Sequence, residues 1–403
     1  MKIMLITVTA GEGHNSTCKA IYNKLIQDPA NEVKIIDLFR DFGTRAKFGF
    51  IDTGYNLVCR HAVKAYNMVY KVLQNIDPER RSKSPSQGTV RRETPRLLKE
   101  VYSFQPDVII STHVYPAIAL TNIRKVYPLR ARTIAVMTDY SVHPFWEAGR
   151  DIDYLVTPTE QFDGVLLQKG YSRSQLLSYG LPVRQPFNNV IPKQDARAKL
   201  ELDADKFTVL VMNGGGGMSG TLPHIKNLLN TPHPLQILVV NGKSVRDKER
   251  VQRLMDAGTG IHTIKNYGFV DFIDVLMSAA DCMLSKCGCI SANEALNKEL
   301  PMLIRPKLVQ QEYDNRLYLT ATRAAVALDD VNTADKAVTR LIENPQELEA
   351  MRAGIRQIKK PNALNDICAL IESSPLVSYA DIPDIAEVAY RRINKLIKKQ
   401  ASV

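Results

Sequence analysis

Ile3-Met4-Leu5-Ile6-Thr7-Val8-Thr9-Ala10-Gly11-Glu12-Gly13-His14 decides the fold of this chain. An apolar run without polar alternation reads as a strand buried on both faces of a parallel sheet. The glycines that follow turn it into a helix, and a turn of this kind leaves backbone N–H groups free to meet a phosphate or a polar substrate. The arrangement recurs at Thr208-Val209-Leu210-Val211-Met212 followed by Asn213-Gly214-Gly215-Gly216-Gly217. Two such units imply two α/β domains facing each other across a cleft.

The composition agrees with two domains. At 403 residues the chain exceeds the roughly 250–300 residues that one hydrophobic core serves. Its 45% hydrophobic and 24% charged residues are those of a soluble globular protein. No apolar stretch approaches the ~20 residues that span a bilayer, which excludes a membrane-spanning chain. The N-terminal run passes into Gly-Glu-Gly-His rather than a small-residue cleavage site, so it reads as a strand and not a leader. Six cysteines without a CxxC pair suit a reduced, cytoplasmic compartment. Cys287-Gly288-Cys289 is too tight for a zinc knuckle, and no metal site is expected. The formal net charge of +11 gathers between Arg60 and Lys99 and again from Arg391 to Lys399. It suits nucleic acid, an anionic membrane face or a phosphorylated substrate, and by itself selects none of them.

Further β-branched runs lie at 33–38, 107–112, 131–137 and 154–157, then at 236–240, 262–264, 282–285 and 301–304. Helical patterns separate them, the alternation of a doubly wound, Rossmann-like parallel sheet. A Pro- and Asn-containing stretch ending at Pro192 reads as the linker. The expected boundaries are 1–182 for the first domain, 183–194 for the linker, 195–375 for the second domain, and 376–403 for a closing helix. From Arg45 to Leu73, aromatic and aliphatic residues alternate with basic ones at helical spacing. That segment fits an amphipathic insertion at a membrane interface or over an apolar pocket, and equally a helical hairpin packed on the sheet.

Chemistry concentrates at the carboxyl ends of the strands, where open α/β folds bind ligands. His14 begins a helix there and can take a proton from a hydroxyl; capping that helix is the plainer role. Gly11-Glu12-Gly13 lacks the third glycine of a dinucleotide fingerprint, since Ser16 stands in its place. Thr138-Asp139 through His143 and Trp146 follows another strand. Asp139 there orients the base, binds an acceptor hydroxyl or caps a helix, and Trp146 offers an apolar platform. In the second half, Gly214 to Gly217 offer donors to a diphosphate. Ser285-Lys286-Cys287-Gly288-Cys289 leads into a helix in which Ser291 and Glu294 have capping-box spacing. Glu294 is therefore either part of a cap or a ribose ligand. Gln310-Gln311-Glu312-Tyr313-Asp314-Asn315 has side chains that bind sugar hydroxyls, although a polar helix start looks the same.

Together these residues resemble glycosyltransferase family 28, and within it the processive diacylglycerol glycosyltransferases and monogalactosyldiacylglycerol synthases. The glycine-rich loop ending in histidine matches at Gly11-Glu12-Gly13-His14, and the Thr-Asp loop with His-Pro and Trp at Thr138 to Trp146. The second glycine-rich turn matches at Gly214, Gly215, Gly216 and Gly217. Lys-Pro-Gly-Gly-x-x-x-x-Glu aligns with Lys286 to Glu294, and Gly-Gln-Glu-x-x-Asn with Gln310 to Asn315. The resemblance covers almost the whole chain.

It implies a GT-B architecture, with the nucleotide sugar on the C-terminal domain and a lipid acceptor on the N-terminal one. It implies an inverting hexosyl transfer from a UDP-sugar to diacylglycerol or a glycosyl-diacylglycerol, without metal or other cofactor. His14 is then the base and Asp139 its support, with Gly13 and Trp146 on the acceptor. Gly214 to Gly217, Lys286 and Gly288 lie near the diphosphate, Glu294 on the ribose, and Gln311, Glu312 and Asn315 on the sugar. The implied location is cytoplasmic, peripheral to the inner face of the cell membrane, with an anionic lipid surface as partner and no nucleic acid. The sequence departs from the family where Cys287 and Cys289 replace Pro and Gly, and where Gln310 replaces Gly. A transferase with another lipid-linked or soluble acceptor, a UDP-sugar epimerase or hydrolase, and a UDP-sugar sensor are the alternative readings.

Overall fold

The computed structural model describes residues 1–9, 12–42, 63–77, 84–212 and 221–380. They fall into two units, Met1–Pro182 joined by the chain from Asn362 onward, and Val183–Pro361.

In the first unit, β1 (Lys2–Thr7), β2 (Glu32–Asp37), β3 (Val108–Ser111), β4 (Arg132–Val136), β5 (Tyr154–Val156) and β6 (Leu176–Leu177) form one sheet. The strands are parallel, in the order β2-β1-β3-β4-β5-β6. Successive side chains of a strand point to opposite faces, so these strands feed two cores. Ile3, Leu5, Val108, Ile110, Ile134 and Val136 enter one, and Met4, Ile6, Ile109 and Ala135 the other. Helices cover both faces, which is why the strands read as unbroken apolar runs. Among the described residues the longer helices between these strands are α1 (Glu12–Leu25), α2 (Val63–Asn75), α3 (Pro85–Phe104) and α4 (Val114–Arg124), and a short one, Asp163–Gln168, lies between β5 and β6. α1 packs on the first core, and α3 and α4 on the second.

The sequence places the return of the chain to the first unit after residue 375, whereas the structure makes it at Asn362. The helix Ala363–Glu372 carries Leu364, Ile367, Cys368 and Ile371 on one face, at the i, i+3, i+4, i+7 spacing of an apolar stripe. All four are buried in the core that Cys18, Ile21 and Leu25 of α1 line. Beyond this helix, Val377 N–H donates to Asp107 Oδ1 at 2.8 Å, and the Tyr379 hydroxyl to the Pro106 carbonyl at 2.7 Å. Most of the expected closing helix at 376–403 lies outside the described residues, as does 45–62 of the basic and aromatic segment. Within α2, Tyr70 is buried, while Met68 and Val72 are 67% and 50% exposed.

The second unit starts with the stretch read as a linker, part of which is a 3-10 turn at Gln185–Asn188. α5 (Lys193–Lys199) follows it, then β7 (Phe207–Met212) and α6 (Thr221–Leu228). β8 (Leu235–Val240), β9 (Thr263–Tyr267), β10 (Cys282–Ser285), β11 (Met302–Ile304) and β12 (Ala325–Ala327) complete a second parallel sheet. Its order is β12-β11-β10-β7-β8-β9. The outer strands β6 and β12 are the two that the sequence does not announce. One has two residues and the other reads Ala-Val-Ala, too short and too weakly β-forming to stand out. In each sheet the strand order reverses once, between β1 and β3 and between β7 and β10.

Ile367→Ala is expected to destabilise the first unit by about 2–5 kcal/mol, the usual range for such a truncation in a core. Hydrogen exchange should then quicken in α1 and not in the second sheet; equal protection in α1 would contradict the packing.

Candidate active site

Asp37, at the carboxyl end of β2, is fully buried and organises the loop after β1. Its Oδ2 accepts from the Thr9 amide at 2.8 Å, and its Oδ1 from the amides of Phe39 and Arg40 at 3.1 and 2.9 Å. Asn15 bridges Thr7 and Thr9 through contacts of 3.1 Å to each hydroxyl. These bonds fix the start of α1, and with it His14.

The His14 ring reaches across the reversal of strand order. Its Nδ1 lies 2.9 Å from the Thr112 carbonyl, just past β3, and 2.8 Å from Thr138 Oγ1, just past β4. A carbonyl only accepts, so Nδ1 carries the proton and Nε2 keeps its lone pair. Burial lowers the His14 pKa below 6.5, against the opposing charge of Asp139 and the bond to Thr112. The imidazole is therefore neutral near pH 7. His113 presses edge-on against it, with ring centroids 4.3 Å apart. Burial and the neighbouring His14 and His143 hold His113 well below the usual histidine range. Nδ1 of His113 accepts from the Tyr115 amide at 3.0 Å, and Nδ1 of His143 from the Phe145 amide at 3.2 Å. Both therefore cap the helices that follow them, whereas Nε2 of His14 has no partner among the described residues.

Asp139 is half-buried and acts on His14 through charge, while Thr112 and Thr138 orient the ring. Gly13 lies in the first turn of α1. Trp146 is not the exposed platform that the sequence suggests. Only 4% exposed, it is part of the core beneath α4, and its carbonyl accepts from the Tyr171 hydroxyl at 2.8 Å. An indole so enclosed has no face left for a ligand. Thr112 and His113 were legible only as polar residues ending a strand, the same signal that marks His14.

In the second unit the polar residues gather at the ends of β10 and β11, beside β7. Gly214, Gly215, Gly216 and Gly217 lie outside the described residues. Lys286 Nζ is ion-paired with Glu312 Oε1, in the first turn of α8 (Gln310–Ala321) once α7 (Cys289–Asn297) and β11 have passed. Cys287 takes φ of 63°, the left-handed region that costs an L-residue about 1–2 kcal/mol. Proline, the family's residue here, is locked near −65° and could not adopt it. Asn315 Nδ2 donates to the Cys287 carbonyl at 3.2 Å and steadies that turn. Gly288 is the N-cap of α7 and Gln311 is half-buried at the start of α8.

The capping-box reading of Glu294 does not hold, because Ser291 lies inside α7 and the cap is Gly288. Glu294 is 7% exposed, and burial pushes its carboxyl up to about 7. Arg184, whose guanidinium is 3.7 Å away, opposes that shift, and Asp274 adds to it. Arg184 sits in the stretch read as a linker, where nothing in the sequence signals a partner for Glu294.

Two parallel six-stranded sheets, each with its polar residues at a reversal of strand order, give the chain the GT-B architecture. Similar solved structures include MurG of Acinetobacter baumannii, with a TM-score of 0.61 and 17% identity over 92% of this chain and 99% of that one. The spinosyn rhamnosyltransferase SpnG with thymidine diphosphate has a TM-score of 0.56, 12% identity, and coverage of 93% and 99%. The chain belongs to glycosyltransferase family 28, with a monogalactosyldiacylglycerol (MGDG) synthase domain matched at residues 14–183 and the family 28 C-terminal domain at 185–367. It is 26% identical over 370 residues to a processive diacylglycerol β-glucosyltransferase of Bacillus mycoides, covering 91% of this chain and 92% of the relative. A protein of the same description from Bacillus cereus is 25% identical over 384 residues, covering 95% and 96%.

Glu294 holds its proton more tightly in the folded chain than at its ordinary value of 4.5, so folding stability falls as pH rises from 4.5 towards 7. In Glu294→Gln that slope should flatten, read as melting temperature against pH. Parallel curves for variant and wild type would refute the raised value.

Proposed function

We propose that the chain transfers a hexose from a UDP-sugar to the hydroxyl of diacylglycerol, or of a glycosyl-diacylglycerol, with inversion to a β-glycoside. The observation that carries this reading is the His14 ring, neutral, held through Nδ1–H, with Nε2 open as a base. Nε2 takes the proton as the acceptor oxygen bonds to the anomeric carbon. The bond from that carbon to the diphosphate breaks, and UDP leaves with the electron pair. The imidazolium so formed is supported by the Thr112 carbonyl and the charge of Asp139, and general-base help of this kind contributes about 10²–10⁴ in rate.

The donor assignments rest on the family resemblance joined to position. Gly214 to Gly217, Lys286 and Gly288 follow β7 and β10, the pair at which the second sheet reverses, and serve the diphosphate. Glu294 serves the ribose, and Arg184 partly offsets the effect of burial on its carboxyl. Gln311, Glu312 and Asn315 serve the sugar, and two of them also brace the loop through Lys286 and the Cys287 carbonyl. Gly13 remains on the acceptor side.

The reading extends to a peripheral membrane enzyme. Among the described residues no helix is long and apolar enough to cross a bilayer. Met68 and Val72 lie one turn apart on α2 and face solvent, while Tyr70 packs against the His143 ring with centroids 5.4 Å apart. With a net charge of +11, this favours docking on anionic lipid.

Incubation with diacylglycerol vesicles and mixed UDP-sugars should yield a hexosyl-diacylglycerol by mass spectrometry; UDP-sugar consumption without that product would move the acceptor elsewhere. His14→Ala should lower transfer at least about 100-fold and leave UDP affinity nearly unchanged, and retained turnover would remove the base. With the His14 pKa below 6.5, kcat/KM should hold at neutral pH and fall only on the acid side. Binding to acidic vesicles should weaken with added salt, and no co-sedimentation would exclude the membrane surface.

A further inference from the structure

Arg305 follows β11 directly, its amide donating to the Ser285 carbonyl at 3.1 Å. Its guanidinium is drawn into the second unit, and the Nε is buried without a hydrogen-bond partner. An arginine stays charged throughout the physiological range, and leaving a charged donor desolvated and unbonded is unfavourable. Such a group persists where something else completes it.

The neighbours do not complete it. Glu312 is the acidic group whose charge supports Arg305. Its carboxylate is already paired with Lys286 Nζ, so two cations share one anion. His224, on α6 just past the second glycine-rich loop, is pushed below 6.5 by its burial and by the charge of Arg305. It is therefore neutral and adds no counter-charge. Lys286 and Arg305 thus both face the Glu312 carboxylate at this edge of the sheet, while Asp329 and Asp330 line a neighbouring pocket with His224 and Pro306.

We propose that Arg305 is an anion-binding residue of the donor site, its guanidinium taking a negatively charged group of the nucleotide sugar. That group is either a phosphate of UDP or a carboxylate on the sugar itself. The guanidinium fork suits both, since each offers two oxygens to parallel N–H donors. The inference rests on the reading of this unit as the one that holds a UDP-sugar. It adds a contact that neither the glycine-rich loop nor the Lys286 segment supplies.

Isothermal titration of the full chain with UDP, UDP-glucose and UDP-glucuronate tests it, on wild type, Arg305→Gln and Arg305→Lys. Arg305→Gln is expected to weaken binding about tenfold or more, the scale of one hydrogen bond to a charged group, with Arg305→Lys between. A loss shared by all three ligands identifies a phosphate as the partner. A loss confined to UDP-glucuronate, tightest of the three on wild type, identifies a sugar carboxylate. The melting temperature of the unliganded variant should hold or rise, because the substitution removes a buried Nε–H that has no hydrogen-bond partner. Unchanged dissociation constants for all three ligands, whether or not melting falls, would overturn the proposal. Failure of wild type to bind any of the three would instead overturn the UDP-sugar reading, and this proposal with it.

Discussion

Parallel strands can be joined only by crossovers over the faces of the sheet, and a reversal in strand order sends neighbouring crossovers to opposite sides. The carboxyl ends at that place are left uncovered, and polar side chains there need not be buried under a helix. Each sheet of this protein has one such place. At β1 and β3 it brings together His14 and the Thr112 carbonyl, residues far apart in sequence. At β7 and β10 it sets the end of β7 beside the strand that leads to Lys286. The chemistry of the chain follows from this topological constraint, and the rest of each unit holds the two strand ends in register.

Much of this was legible in the residues because each central strand is buried on both faces and leaves a plain apolar signature. The glycines and the histidine after β1 could be read in the same way, as features with no reason to exist in a simple turn. What could not be read were relations through space. Thr112 and Thr138 orient His14, a task that Asp139 seemed equally fitted for, and only the distances distinguish carbonyl, hydroxyl and carboxylate. Trp146 misleads for the same reason: a lone tryptophan in a polar loop looks like a ligand platform until its enclosure by the core is seen. The apolar stripe of Ala363–Glu372 is visible in sequence, but its period says only that it is buried, not by which unit.

The two halves treat charge differently. Around His14 the protein supplies hydrogen bonds and burial that keep a base neutral, with one carboxylate near enough to favour the charged form when it arises. In the second unit, burial weighs on ions themselves: Glu294 against Arg184, and Lys286 with Arg305 around Glu312. Buried ions of this kind are seldom retained for stability, since apolar residues of similar volume do as well or better. Their presence at the strand ends is in keeping with a substrate that brings charge of its own.

The helix Ala363–Glu372 has a consequence for how the protein is made. Leu364, Ile367, Cys368 and Ile371 complete the core under α1, so the first unit lacks part of its interior until the chain has been synthesised past residue 371. During translation the Val183–Pro361 unit is contiguous, while the unit that emerged first waits with part of one apolar face of its sheet, beside α1, uncovered. The order of folding is then the reverse of the order of synthesis, and the waiting face is the surface for which a chaperone or an aggregating neighbour competes.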